Sequence, residues 1–192
     1  GIVVLAIFSS SGSSGASNYS GKMEGAFYRI HISPVKRGSI VLGHVLDAAV
    51  LSFIEIAVLL LVAFAMSVRF ASILPGLPLT IVLLLMTIFF VASLSYLLSL
   101  ILPNENVFHT LMNTFVLPVF FMSTALIPYE NIPAALQGFV SINPFTHVIN
   151  SLRNLILSPS IDWPLYAFAV LLMLVFGLIF FTLSVRRLHK DI

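Results

Sequence analysis

Four stretches of this 192-residue chain are long, apolar and almost free of charged side chains. They cover residues 45–66, 79–102, 107–127 and 164–185, and only the first contains charges, at Asp47 and Glu55. A helix needs about 20 mostly apolar residues to cross the hydrocarbon core of a bilayer. The pattern therefore predicts four membrane-spanning helices.

The opening segment, residues 1–19, predicts a fifth and partial span. It starts with the apolar run 2–8 and has no basic residue before it, which is unlike a secretory signal. We expect the chain to begin inside a membrane helix, with a first span missing upstream. The second half, 9–17, is rich in Ser and Gly, a composition typical of closely packed membrane helices and also of flexible linkers. We favour the packed helix.

The composition excludes several classes of protein. Hydrophobic residues make up 59% of the chain and charged residues 8%, whereas a soluble domain has roughly 45–50% and about 25%. The net charge of +2 is too small for a nucleic-acid-binding surface, so we expect no nucleic acid partner. The absence of Cys excludes disulfides and thiolate ligands, and the five His residues show no metal-binding spacing. The fold class predicted is an all-α polytopic membrane helix bundle.

The sequence contains no recognisable catalytic or nucleotide-binding motif. The segment Gly15–Met23 is the nearest to a phosphate-binding loop, but it has five residues between its glycines and Met after Lys22. A P-loop has four residues there and Ser or Thr after the Lys. We therefore expect no catalytic residue, no metal and no enzymatic activity in this chain.

Prolines and basic residues predict the helix ends and their orientation. Pro75 and Pro78 predict a tight turn, Pro103 and Pro128 predict helix ends, and Pro118 predicts a kink inside its span. One side of the membrane would hold the loop 20–44, the turn after Pro103 and the tail 186–192, with seven Lys and Arg residues against two on the other side. Because basic residues concentrate in cytoplasmic loops, we expect the C-terminus in the cytoplasm.

The outer segment 128–163 is long for a simple loop and contains two helix-like pieces. The first has Asn131 as a candidate N-cap and Gly138 as its end. The second begins at Asn143 and Pro144 and has apolar residues at helical spacing, with His147 and Arg153 largely on the other side. It is too short to span a bilayer. It forms either a cap on the outer surface or a re-entrant lid at the exit of a pathway.

Glu55 is the most informative charge, because it lies in the middle of the span 45–66. A charged side chain there costs roughly 2.5–3.5 kcal/mol on insertion scales. It should therefore face protein or water, together with Ser52 on the same half of the helix. Asn113 in the fourth span is a candidate partner. These residues form either a translocation route or a contact between helices.

The loop 20–44 is the second candidate site. Met23, Phe27 and Ile30 share one face of a predicted short helix that ends near Ser33 and Pro34. This helix either lies on the bilayer surface or binds a cytoplasmic partner, because aromatic residues and Arg are typical of protein interfaces.

Several of these segments together resemble a known family. The residues that carry the resemblance are Glu24-Gly25, Ser33-Pro34-Val35-Lys36-Arg37, Leu117-Pro118-Val119-Phe120-Phe121, and Asn143-Pro144-Phe145-Thr146-His147 with Arg153. The chain resembles, over nearly its whole length, the membrane subunits of ABC-2 type exporters, such as daunorubicin-resistance, nodulation and polysaccharide-export permeases. Such subunits have six spans, so about five would lie in this chain.

The resemblance implies an ATP-driven export permease of the cytoplasmic membrane that moves a drug, lipid or glycan-type solute. ATP and Mg would bind a separate ATP-binding cassette subunit, and two permease subunits would form a homo- or heterodimer in contact with membrane lipid. Loop 20–44 would hold a coupling helix, with Glu24, Phe27, Tyr28 and Arg29 touching the ATP-binding subunit. The alternatives are a secondary transporter or channel that does not use ATP, and a membrane assembly factor that transports nothing.

Overall fold

The computed structural model of the chain describes residues 1–23, 37–65, 73–126, 129–158 and 160–190. Within these ranges the chain forms seven α-helices, a short 3₁₀ turn at Tyr129–Asn131 and no strand. The helices are α1 (Ile2–Met23), α2 (Arg37–Ala65), α3 (Ile73–Ile101), α4 (Glu105–Phe121), α5 (Ala134–Ile142), α6 (Pro144–Leu157) and α7 (Trp163–Lys190). The predicted all-α membrane helix bundle is confirmed.

Three of these helices are long and apolar enough to cross a membrane, which makes the protein an integral membrane protein. The spans are Arg37–Val62 in α2, Gly76–Ile101 in α3 and Trp163–Leu188 in α7. In α1 the Ser-rich second half lowers the hydropathy, and α4 has 17 residues, fewer than the about 20 that a full crossing needs. That α1 and α4 also cross stays a prediction.

Successive long helices run in opposite directions. α1, α3 and α7 are parallel to one another, whereas α2 and α4 run antiparallel to them. These directions follow from side-chain contacts, which join Ser10 to Ser52, Ser14 to Asp47, Ser11 to Ser95, Asn18 to Ser99, Tyr19 to Phe108, Leu79 to Tyr166, and Ser93 to Ser184.

Because successive helices alternate in direction, their termini lie at two opposite ends of the bundle. Tyr19 Oη donates to Leu102 O (3.2 Å), and Arg37 Nη1 donates to Leu188 O (3.1 Å). The termini of α1 and α2 that flank residues 24–36 therefore lie at the same end as the bend 102–104 and the end of α7; we call this the 24–36 end. The opposite end carries α5 and α6 and is called the α5–α6 end.

Helix α3 is the centre of the bundle. In an apolar 18-residue stretch of its span, 61% of the residues are buried, against 22% in the corresponding stretches of α2 and α7. The reason is that α1, α2 and α7 all pack on α3. A Cβ at Gly177 of α7 would collide with the ring of Phe89 on α3, so this glycine permits the close approach of the two helices. The exposed sides of α2 and α7 carry large apolar side chains, as lipid-facing helices do.

Two of the local predictions are wrong. The tight turn predicted at Pro75 and Pro78 is instead the first part of α3, which begins at Ile73. Pro75 is tolerated because amides in a first turn have no partner within the helix. The predicted helix end at Gly138 lies inside α5, which continues to Ile142 and starts after Pro133 rather than Asn131. The stop comes from Pro144, which disfavours helical geometry in the residue before it.

Some helix bounds also differ from the expected spans. α2 begins at Arg37, well inside the segment predicted as the loop 20–44, and α1 continues to Met23. α4 ends at Phe121 instead of residue 127, and residues 122–126 form turns. Pro118 lies inside α4 and cannot donate to the carbonyl of Thr114, which weakens the last turns of this helix.

Candidate functional site

The Ser-rich half of α1 is a buried polar seam between α2 and α3 rather than a linker. Ser10, Ser11, Ser14 and Asn18 are all buried. Ser10 Oγ lies 2.6 Å from Ser52 Oγ on α2, and Ser14 Oγ donates to Asp47 Oδ2 (3.0 Å). On the other side, Ser95 Oγ of α3 donates to Ser11 O (2.6 Å), and Asn18 Nδ2 donates to Ser99 Oγ (3.1 Å). Small residues allow this close approach, and their hydroxyls link the helices across it.

Gly15 is the point of closest approach between α1 and α3. A Cβ there would overlap Ser95 Oγ and would come within 2.9 Å of Phe108 Cζ and 3.2 Å of Ser95 O. Because two of these atoms belong to a backbone and a packed ring, a larger residue would have to push the helices apart. The glycine therefore sets the spacing of the seam.

Ser52 and Glu55, both predicted to line a route or to form a contact between helices, lie on the side of α2 that faces α1. Ser52 is fully buried in its contact with Ser10. Glu55 borders an open groove of about 520 Å³ between α1 and α2, whose other walls include Leu5, Ala6 and Ser9. Glu55 Oε2 is buried and, in the part of the chain that the structure describes, has no hydrogen-bond partner.

Asn113, the third residue of the predicted route, borders a second groove between α1 and α4. This groove has a volume of about 320 Å³ and is lined by Ser9, Ser13 and His109 as well as Asn113. The grooves on the two sides of α1 share Leu5 and Ser9. The structure thus places Asn113 and Glu55 in separate but neighbouring grooves.

Asn143 joins the outer helices to α4. Its Oδ1 accepts from Phe145 N (3.0 Å) and caps α6, where Pro144 occupies the first turn. Its Nδ2 donates to Val119 O (2.7 Å) and Met122 O (2.9 Å) at the end of α4. These two carbonyls belong to the last turn of a helix, where carbonyls lack partners within the helix.

His147 and Arg153 fix α6 to its other neighbours. His147 Nε2 lies 3.0 Å from Ser141 O of α5, and its ring packs edge-on against Phe168 of α7. Arg153 Nη2 donates to Thr124 O (2.9 Å) in the turn after α4. The outer residues singled out from the sequence therefore hold the α5–α6 end together.

Sequence reasoning missed the partners of these residues. Thr124 Oγ1 donates to Asn150 Oδ1 (2.7 Å), which adds a second link between the turn after α4 and α6. The two residues are 26 positions apart, and helical periodicity carries no signal for a contact across that distance.

An apolar cavity between α3, α4 and the junction of α5 and α6 was also not predicted. Its volume is about 510 Å³. Its walls include Phe90, Leu94 and Leu98 of α3, Phe115 and Val116 of α4, and Asn143 at the junction. We call it the α3–α4 cavity.

The predicted coupling residues Glu24, Phe27, Tyr28 and Arg29 lie outside the described residues. Among the residues that are described, no three His, Asp or Glu side chains are grouped closely enough to hold a metal ion.

Comparison with known proteins identifies the family. Residues 1–157, from α1 through α6, match the family described as "ABC-2 type transporter". The chain is also similar to "Putative transport permease ycf38" of Cyanophora paradoxa, with 28% identity over 156 residues, which are 81% of this chain and 53% of that protein. The chain thus spans about half the length of this relative. No solved structure matches it. Because the family match covers most of its length, this chain belongs to the ABC-2 type transporter family of membrane permeases.

Proposed function

We propose that this chain is the membrane subunit of an ATP-driven exporter and forms the route for a drug, lipid or glycan-type solute. Two permease subunits form the transporter, and ATP is hydrolysed on a separate ATP-binding cassette subunit. The observation that carries the proposal is the family match from α1 to α6. The bundle of long apolar helices is the scaffold that such a subunit requires.

Residues 24–36 are proposed as the contact with the ATP-binding subunit, through Glu24, Phe27, Tyr28 and Arg29. This segment connects α1 directly to α2, and the buried hydrogen bonds of the α1 seam join both helices into one unit. A push on the segment would therefore displace α1 and α2 together relative to α4. That displacement would change the width of the grooves beside α1.

The distribution of charge supports a cytoplasmic position for the 24–36 end in the cytoplasmic membrane. Of the arginines that the structure describes, three lie at this end, Arg37, Arg186 and Arg187, and one lies at the α5–α6 end, Arg153. Basic residues favour the cytoplasmic side of a membrane. In this orientation the α5–α6 end is the exit side, where Asn143, Pro144, His147 and Arg153 hold the outer helices.

Co-purification tests the partnership. The tagged chain is solubilised from its native membrane in mild detergent, and bound proteins and ATPase activity are measured. We expect an ATP-binding cassette protein in equimolar amount, and at least a fivefold loss of it in F27A and R29A. The control is S160A, which replaces an exposed residue at the α5–α6 end. Recovery of the intact complex without any ATP-binding protein would favour a transporter that does not use ATP.

The proposed route residues need a separate test, with the permease and its partner in proteoliposomes. E55Q keeps the size of the side chain and removes its charge, so we expect solute transport to fall at least tenfold with the complex intact. V58A changes the apolar wall of the same groove and should leave transport within about twofold. Normal transport by E55Q would assign Glu55 a structural role between helices.

A further inference from the structure

The α3–α4 cavity lies at membrane depth in a gap between two helices. Its α3 wall, from Phe90 to Leu98, is part of the membrane span Gly76–Ile101. α4 packs on α3 far less extensively than α7 does, and the cavity occupies the space between them. Phe115 on the α4 wall is 62% exposed, so the cavity opens toward the outside of the bundle.

The walls of the cavity have no free hydrogen-bonding group for a ligand. Asn143 is the one lining residue with a polar side chain, and all the others are Phe, Leu, Met, Val, Ile or Pro. Both of its N–H groups are used, because Nδ2 donates to Val119 O and Met122 O, and Oδ1 already accepts from Phe145 N. A polar group placed in this cavity would lose its hydrogen bonds to water and gain none. The occupant must therefore be apolar.

The shape of the cavity fits one extended chain. Its α4 wall runs from Leu111 to Met122, a length of about 16 Å at the rise of an α-helix. The volume of about 510 Å³ lies within the range of roughly 300–1,000 Å³ that small-molecule sites have. The α3 wall belongs to a membrane span, and the hydrocarbon core of a bilayer consists of lipid acyl chains.

We propose that the α3–α4 cavity binds one acyl chain of a membrane lipid. The chain fills the gap between α3 and α4 and joins α4 to the core of the bundle. This inference is independent of the solute and of the energy source of transport.

Photolabelling tests the proposal. The protein is placed in phosphatidylcholine nanodiscs that contain a fraction of phosphatidylcholine with a diazirine in the middle of one acyl chain, and labelled residues are identified by mass spectrometry. We expect label at Leu94 and Leu98 in amounts within about threefold of that on the exposed α2 residues Ile54 and Val58. Val91, which is fully buried outside the cavity, should carry at least tenfold less label.

Two substitutions in the cavity should change the labelling in opposite directions. V116W fills the cavity and should lower the label at Leu94 and Leu98 at least fivefold, with the label on α2 unchanged. F115A removes an exposed ring at the opening, a change that the fold tolerates, and should raise the same label about twofold. L61W, on the exposed side of α2, is the matched control.

Label at Leu94 and Leu98 as low as at Val91 would overturn the proposal, because a protein segment or an empty space would then occupy the cavity. Label that neither V116W nor F115A changes would overturn it as well, since it would come from bulk lipid outside the cavity.

Discussion

At the scale of single residues, Asn143 links the α5–α6 end of the bundle to α4. One amide group caps α6 and supplies two donors to carbonyls at the end of α4. Pro118 cannot donate to the carbonyl one turn before it, so the last turns of α4 are weakly held from within the helix. Asn143 compensates for this weakness from the neighbouring helix.

Replacement of Asn143 should separate its two roles. N143A removes the cap and both donors, and we expect a loss of about 2–3 kcal/mol in the free energy of unfolding. N143S keeps a cap oxygen and loses the donors to Val119 and Met122, so its loss should be smaller but still above about 1 kcal/mol. Denaturant unfolding in detergent measures both, with S141A as a control because Ser141 Oγ bonds only within α5. Equal stability of N143A and wild type would remove the proposed link to α4.

Gly15 gives a second prediction at this scale. G15A should destabilise the protein by about 1–3 kcal/mol, because its Cβ would overlap Ser95 and Phe108. G43A is the matched control, since a Cβ at Gly43 meets no atom within 4 Å. Replacing a helical Gly by Ala without a clash should stabilise by roughly 0.5–1 kcal/mol. Thermal unfolding of the two variants should therefore move in opposite directions, and the same shift in both would contradict the role given to Gly15.

Some roles of single residues can be predicted from the sequence. An Asn followed by Pro indicates a helix start, and Asn143 does cap α6. Its bonds to Val119 and Met122 could not be predicted, because they depend on how the end of α4 approaches the junction of α5 and α6. The sequence predicts that Glu55, Ser52 and Asn113 lie together, whereas the structure places Asn113 in a different groove from Glu55. Helical spacing gives the face of one helix but not its neighbour.

At the scale of helices, α1 combines apolar packing of Val4 and Ile7 in its first half with contacts between hydroxyl groups in its second half. The seam places Ser10 against Ser52 of α2 and Ser11 against Ser95 of α3. Hydrogen bonds between membrane helices contribute little each, on average about 0.6 kcal/mol. The spacing set by the small side chains therefore matters more for α1 than any single bond.

A double-mutant cycle on Ser10 and Ser52 tests this estimate. We expect S10A and S52A each to cost no more than about 1 kcal/mol in unfolding free energy, with a coupling energy of about 0.6 kcal/mol. The pair S52A and S141A, which lie on α2 and α5 and share no bond, should be additive. Zero coupling between Ser10 and Ser52 would show that their contact, 2.6 Å long in the structure, adds nothing to stability.

The apolar runs predict α2, α3 and α7 because a continuous hydrophobic stretch of about 20 or more residues is typical of a membrane-spanning helix. The helix ends were harder to locate. Pro75 and Pro78 lie inside α3, and Gly138 lies inside α5. These residues lower the helix propensity of a segment, but membrane helices tolerate Pro and Gly. The Ser-rich half of α1 left two readings open, since its composition suits both a linker and a packed helix.

At the scale of the whole molecule, the alternating helices bring the end of α1, the start of α2, the bend 102–104 and the end of α7 to one end of the bundle. We propose from the distribution of basic residues that this end faces the cytoplasm. The account of function depends on this arrangement, because an ATP-binding subunit in the cytoplasm can act on α1 and α2 only if residues 24–36 face it.

Site-directed labelling of single cysteines in intact cells tests this arrangement most directly, and the native chain contains no Cys that would interfere. A membrane-impermeant maleimide is applied to R29C, R186C and S160C before and after cell lysis. We predict that S160C reacts in intact cells, whereas R29C and R186C react only after lysis. Reaction of R29C from outside intact cells would contradict the proposed orientation and, with it, the coupling to a cytoplasmic ATP-binding subunit.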